Sequence, residues 1–305
     1  MGLLEAIILS VIAASTPLLL AAAGELVVER SGVLNLGLEG MMIMGAACGF
    51  AMAYFTGSII IGAICGMLAG VGMSAIFAAL TLGLAVNQVA AGLALTIFGI
   101  GLSGLIGAGF VGVRIEAAPH LYVPVLTDIP VIGKILFGED AVVYASIALV
   151  IGIWWCLYRT RAGLVLRAVG DNHASAHALG YPVLKIRALA VLFGGACAGF
   201  GGAYLPLAYT PFFIPGMTAG RGWIALALVV FASWRPGRLV IGAYLFGAVT
   251  ILQLHAQGWG IGIPSQFMSA LPYLATVIVL VLLSRARTGG STAPAALGTV
   301  FVPDR

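Results

Sequence analysis

Apolar runs long enough to cross a bilayer dominate this chain and leave few alternatives for its fold. A helix needs about 20 apolar residues to span the hydrocarbon core. Runs of that kind occupy residues 6–24, 33–54, 59–83, 86–110, 141–158, 188–208, 238–256 and 267–284. A ninth, 222–234, is too short to cross unaided. Hydrophobic residues make up 62% of the chain and charged residues 8%, against about 25% charged in soluble domains, so a water-soluble fold is excluded. Lipid admits only helices or a closed barrel, because every backbone polar group must find a partner within the protein. The runs are near-continuous rather than alternating, which selects helices. The expected fold is all-α: a polytopic transmembrane bundle of about nine spans, one of them a broken or half-length helix. The first run is as long as a span and has no basic residues before it, so a cleavable leader is not expected.

The longest basic interruption runs from Arg159 to Arg187 and sets Arg159, Arg161, Arg167, Lys185 and Arg187 against one acid, Asp171. Cytoplasmic loops carry the excess of Lys and Arg, so this loop belongs inside. Counting 222–234 as a crossing also puts Arg30, Arg235, Arg238, Arg285, Arg287 and Arg305 inside. The result is nine crossings, with the N-terminus outside and the C-terminus inside. Within the loop, Asn172 to Leu179 reads as a short surface helix, with Asp171 as its N-cap and Gly180 and Pro182 as its stop. The tail after Ser284 is polar, rich in Ala, Gly and Thr, and expected to be mobile.

The stretch before the ninth run, residues 209–221, holds Pro211, Pro215, Gly216 and Gly220 and is a poor helix. Some of this irregular backbone must lie at membrane depth, which is tolerated only inside protein or along a polar cavity. A half-helix with its N-terminus in the bilayer is a recurring way to build a solute site. Arg221 and Trp223 stand at that N-terminus, with Phe212 and Phe213 just before it. The three aromatic rings offer stacking faces for a solute or anchors at the interface. Elsewhere, Gly62, Gly66 and Gly70 recur every four residues ahead of Ser74, a stripe that lets helices approach closely.

Polar residues inside spans face the bundle interior. Asn35 and Glu39 are one helical turn apart and are expected to share a face, either along a solute path or as hydrogen-bonding contacts between packed helices. Asn87 and Gln88 make a similar case. His173 and His177 stand four apart, but no third ligand accompanies them, so no metal site is expected. No catalytic arrangement of Ser, His, Asp or Cys is evident. The two lysines, Lys134 and Lys185, precede neither Ser nor Thr, so a Walker A loop is absent. The net charge of +4 is spread across membrane loops and does not point to nucleic acid.

Residues 29–42, ERSGVLNLGLEGMM, resemble the early signature of bacterial ABC-importer permeases of the branched-chain amino acid, ribose and nucleoside class, and look most like the nucleoside or simple-sugar branch. Residues 166–180, LRAVGDNHASAHALG, are similar to that family's coupling loop, and 219–230, AGRGWIALALVV, to its half-helix. The chain departs from the pattern at His173, where the family usually has Pro, and in FASWRP at 231–236, which lacks the family's frequent glycines.

The resemblance implies a single transmembrane permease domain over 1–284, with the coupling loop at 159–187 and a cytoplasmic tail at 285–305. It implies residence in the bacterial cytoplasmic (inner) membrane and three kinds of protein partner: a second, distinct permease chain, a cytoplasmic ATPase subunit and an extracytoplasmic solute-binding protein. ATP and Mg would be held by the ATPase subunits, with no cofactor on this chain and no enzyme activity of its own. Coupling would run through Asp171, Asn172, His173, Ala174, Ser175, Ala176, His177, Leu179 and Gly180. Nucleosides are the first expectation for the solute and sugars such as ribose or galactosides the second. A self-sufficient secondary transporter, with Glu39 as a proton site, is the rival from another class.

Overall fold

The computed structural model describes residues 2–119, 132–258 and 293–302, with scattered positions at 121–127 and 267–281. In chain order the helices are α1 (Leu3–Arg30), α2 (Leu38–Thr56), α3 (Ile59–Ala78), α4 (Gln88–Gly107), α5 (Ile132–Phe137), α6 (Ala141–Arg159), α7 (Arg161–Asp171), α8 (His173–Ala178), α9 (Val183–Tyr204), α10 (Arg221–Phe231) and α11 (Pro236–Gly258). A π-helical turn extends α3 through Ala79–Gly83, and another extends α9 through Leu205–Tyr209. Among the described residues seven helices are long and apolar enough to cross a membrane, namely α1, α2, α3, α4, α6, α9 and α11, and α10 is a shorter apolar helix. The expected span 267–284 falls largely outside the described residues.

Helix ends follow local chemistry. The Asp140 carboxylate accepts from the backbone N–H groups of Val142 and Val143 at 2.9 and 3.0 Å and starts α6. Ser58, Asn87 and Thr160 accept in the same way at the starts of α3, α4 and α7. Such side-chain caps satisfy orphan amides that a helix leaves at its N-terminus.

The core is α1, α2, α3 and α9 laid against one another, with α4 on α2 and α10 and α11 on α1. Lipid supplies no hydrophobic drive between helices, so close van der Waals packing holds them. The glycine stripe serves that purpose. Gly62, Gly66, Gly70 and Ser74 are all buried. A Cβ on Gly66 would lie 2.8 Å from the Gly45 carbonyl oxygen, and one on Gly70 would lie 2.8 Å from Gly199 Cα. Backbone therefore touches backbone where α3 meets α2 and α9.

The two ends of the bundle differ in charge. Glu5, near the N-terminus, pairs with Lys134 at 3.7 Å, so the N-terminus shares a face with the 111–140 connection. At the other end Arg30 donates to the Trp234 carbonyl at 2.8 Å, close to α7, Arg235 and Arg238. That basic end has the charge expected of a cytoplasmic face. The tail differs from expectation. Residues 293–302 pack on this end rather than hanging free, with Ala296 N–H donating to the Gly170 carbonyl at 2.9 Å and Gly298 N–H to the Gly32 carbonyl at 3.1 Å.

Candidate functional site

The chain reaches α10 through irregular backbone, as its prolines and glycines require. Gly216 and Gly220 adopt φ of 70° and 81°, the left-handed region that glycine enters without a Cβ clash. The stretch is held by the 111–118 segment, where Gly112, Ile115 and Ala118 N–H groups donate to the carbonyls of Phe213, Pro211 and Leu207.

The N-terminus of α10 then meets the start of α2. Glu39 Oε1 accepts from Thr218 Oγ1 at 2.6 Å and from Gly220 N–H at 3.0 Å, and Glu39 Oε2 accepts from Gly222 N–H at 2.6 Å. A carboxylate at a helix N-terminus satisfies orphan amides and complements the helix dipole. Gly222 is required by this contact, since a Cβ there would lie 2.5 Å from the Glu39 backbone. The other end of α10 is fixed as firmly. Trp234 Nε1 donates to Glu29 Oε2 at 2.6 Å while its carbonyl accepts from Arg30. These contacts hold Ser233 and Trp234 at φ of 52° and 55°. Eleven residues of helix rise about 16 Å, so the Glu39 junction stands roughly halfway into a hydrocarbon layer about 30 Å thick.

The segment entering Glu39 is also non-helical. Expected to lie one turn apart on a helix, Asn35 and Glu39 do not share a helical face: α2 begins only at Leu38, and residues 31–37 form turns and extended chain. Side chains satisfy this backbone, as membrane depth demands. Leu34 N–H donates to Gln88 Oε1 at 2.8 Å, Asn35 N–H to Glu25 Oε1 at 3.3 Å, and Gly37 N–H to Asn35 Oδ1 at 3.0 Å. Thr96 Oγ1 donates to the Leu36 carbonyl at 3.0 Å. Asn35 Nδ2 also reaches Glu25 Oε2 at 3.3 Å.

The candidate residues thus separate into two groups. Glu39 and the α10 start, which carries Arg221 and Trp223, come together. Asn35 and Gln88 are buried in the adjoining broken segment, and Asn87 is the exposed cap of α4. Phe213 is wholly buried against Phe50, with ring centroids 6.0 Å apart, and Phe212 pairs its backbone with Arg114. Trp223 is 37% exposed. Arg221 donates to the Met217 carbonyl at 3.0 Å and lies over the Tyr209 ring. Glu25, Glu29 and Thr218 are essential to the geometry and were not singled out from the sequence. Two acids one turn apart at the end of the first apolar run were the available signal. A separate cavity of about 710 Å³ opens at the basic end beside Arg30, Tyr158, Asp171 and Arg238, a full length of α10 away from Glu39.

The basic loop contains two helices rather than one, α7 before α8. The cap of α8 is Asn172, whose Oδ1 accepts from Ser175 N–H at 2.9 Å; Asp171 is instead the last residue of α7. Gly180, at φ 86°, ends the turn. Ala176 faces inward against Val169 and Val183. Asp171, Asn172, Ala174, Ser175, His177 and Leu179 face outward, and Leu179 is 78% exposed. Burial, and then the Arg187 guanidinium, push the His173 imidazole below its usual range. The neutral ring so favoured can accept from Arg187 Nη2, 3.3 Å from His173 Nδ1.

A multi-pass bundle with an interior half-helix and an ordered basic loop has the build of a membrane permease. The chain belongs to the family described as branched-chain amino acid transport system / permease component, whose pattern matches residues 7–284. It is 42% identical to the putative glucose ABC transporter permease protein TsgC13 of Haloferax volcanii, over 92% of this chain and 90% of that protein. It is 33% identical to the nucleoside ABC transporter permease protein NupC of Lactococcus lactis, over 99% and 98% of the two chains. It is 32% identical to the guanosine ABC transporter permease protein NupQ of Bacillus subtilis, over 97% of each. The protein is an ABC transporter permease, a multi-pass component of the cytoplasmic membrane that works within a larger complex.

Proposed function

We propose that this permease is one half of the membrane pathway of an ATP-driven importer for a neutral, hydroxyl-rich solute, a nucleoside first and a simple sugar second. The observation that carries the reading is full-length similarity to permeases named for glucose, nucleosides and guanosine. The 42% identity to the putative glucose permease is what favours the sugar alternative. In the proposed assembly a distinct second permease completes the pathway, and a binding protein delivers solute from outside. ATPase subunits, holding ATP and Mg, dock on the outward side of α7 and α8. This chain itself carries neither catalyst nor cofactor.

Movement of α8 would rock the bundle and change the contact between Glu39 and α10. Arg221, Trp223 and Tyr209 border that junction and would offer hydrogen bonds and a stacking face to a ring-bearing solute. The test is uptake by the complex with its binding protein, using labelled guanosine and labelled glucose, each challenged by the other unlabelled. Guanosine uptake that glucose does not compete supports the nucleoside reading. The reverse supports the sugar reading, and no uptake of either refutes both.

A further inference from the structure

The tail expected to be mobile is instead woven into the coupling loop, and one buried cation holds the weave together. Arg187, at the start of α9, is completely buried. Its Nε donates to the Ser31 carbonyl at 3.2 Å, its Nη1 to the Thr299 carbonyl at 3.1 Å, and its Nη2 meets His173 Nδ1 at 3.3 Å. Three parts of the chain far apart in sequence therefore converge on one guanidinium: the turn after α1, the tail, and α8. The planar fork of arginine suits such a junction, since its donors point in fixed, separate directions.

The tail makes further contacts with each of the other two parts. Ala296 N–H donates to Gly170, the penultimate residue of α7, and Gly298 N–H donates to Gly32. Phe301 sets its ring edge-on to both His173 and His177, with centroids 5.0 and 5.3 Å away. Gly32 has φ of 89°, a backbone conformation that strains any side chain, and a Cβ there would displace Arg187 Nη2, 2.8 Å away, so glycine suits this turn. The same turn follows Glu29 and Arg30, which hold Trp234 at the foot of α10, and leads through Asn35 to Glu39 at its head.

We propose that residues 293–302 are a strut of the coupling apparatus, which with Arg187 as positioning residue delivers the displacement of α8 to the 30–32 turn and so to both ends of α10. This rests on α8 being the surface on which the ATPase docks. His173 takes a place in the strut as the acceptor that ties α8 to Arg187. Contiguous packing does not by itself carry energy between sites, so the strut has to be read by function.

The test uses the complete complex in proteoliposomes and follows three quantities: ATPase subunit retained, ATP hydrolysed, and labelled guanosine or glucose taken up. Phe301→Ala, and separately a chain ending at residue 292, are expected to keep the ATPase bound and active. Solute moved per ATP should fall by about fivefold or more, the lower range of ordinary coupling between sites. Phe301→Tyr, which restores the ring, should restore the ratio. A fold brace alone would not produce a loss confined to that ratio. An unchanged ratio in Phe301→Ala overturns the strut, and so does loss of the ATPase from the complex, which would make the tail a docking surface. Should the shortened chain fail to fold, Phe301→Ala and Phe301→Tyr still decide. Leu179→Asp tests the underlying reading separately: if it keeps the ATPase and coupled uptake, α8 is not the docking surface, whatever the tail does.

Discussion

Replacing Glu39 tests whether a carboxylate at the α10 N-terminus holds the broken helix together. Glu39→Ala removes three acceptor contacts and leaves Thr218 Oγ1, Gly220 N–H and Gly222 N–H without that acceptor. The hydroxyl can rotate to a nearby carbonyl, so the loss rests on the buried Gly222 amide and the part-buried Gly220 amide. The unsatisfied buried Gly222 donor costs about 1–3 kcal/mol, the part-buried Gly220 donor about half that, and loss of the carboxylate at the helix N-terminus adds about 0.3–2 kcal/mol, for roughly 2–6 kcal/mol. Glu39→Gln keeps one oxygen for Thr218 and Gly220 but turns an NH₂ group toward Gly222 N–H, so about 1–3 kcal/mol is expected. Denaturant unfolding of the purified permease in detergent, followed by tryptophan fluorescence, should rank wild type above Glu39→Gln and Glu39→Ala last. If both variants unfold within about 0.5 kcal/mol of wild type, the size of a neutral surface change, the junction does not bear on stability and the reasoning fails.

Leu179→Asp places a charge on the exposed apolar tip of the coupling loop and should strip the ATPase subunit from the purified complex while leaving the permease folded; retention of the subunit argues against that surface. Gly70→Leu pushes a side chain into Gly199 backbone across α3 and α9, and overpacking of this kind costs about 1–3 kcal/mol or more, so the folded yield should collapse where Gly72→Leu, facing open space, is tolerated. The Glu139 carboxyl is pushed up to about 7, by burial first and by Asp140 next. Its folded pKa exceeds its unfolded one, about 4.3, so its contribution favours folding below that value and is lost as pH rises toward 7. Thermal unfolding between pH 5 and 8 should therefore show a smaller fall with pH in Glu139→Gln than in wild type, and equal falls would contradict it.

Much of the fold is legible because lipid leaves so few choices. Apolar length marks the spans, and Pro211, Pro215, Gly216 and Gly220 mark the break before α10. The spacing of Gly62, Gly66 and Gly70 marks the closest helix contacts. The second break is hidden because residues 33–37 run without interruption into the apolar stretch of α2. Only the partners that satisfy them, Glu25, Gln88 and Thr96, reveal it, and these lie on other helices. Assigning the α8 cap to Asp171 fails for a local reason, since α7 runs through Asp171 and leaves Asn172 to turn the chain and cap α8. The tail reads as polar and mobile because its order comes from contacts with Gly32, Gly170 and Arg187, more than a hundred residues away. At the site, the meeting of Glu39 with α10 joins two features that sequence presents separately. The burial of Phe213 depends on the fold around Phe50, which no local pattern shows.

The energy source tests the central claim most directly. Proteoliposomes holding the permease pair with its ATPase subunits, supplied with the binding protein on one face and ATP on the other, should accumulate guanosine or glucose only when ATP is hydrolysed. This chain alone, under an imposed proton gradient, should accumulate neither. Gradient-driven uptake by the isolated chain would contradict the account and make Glu39 a proton site.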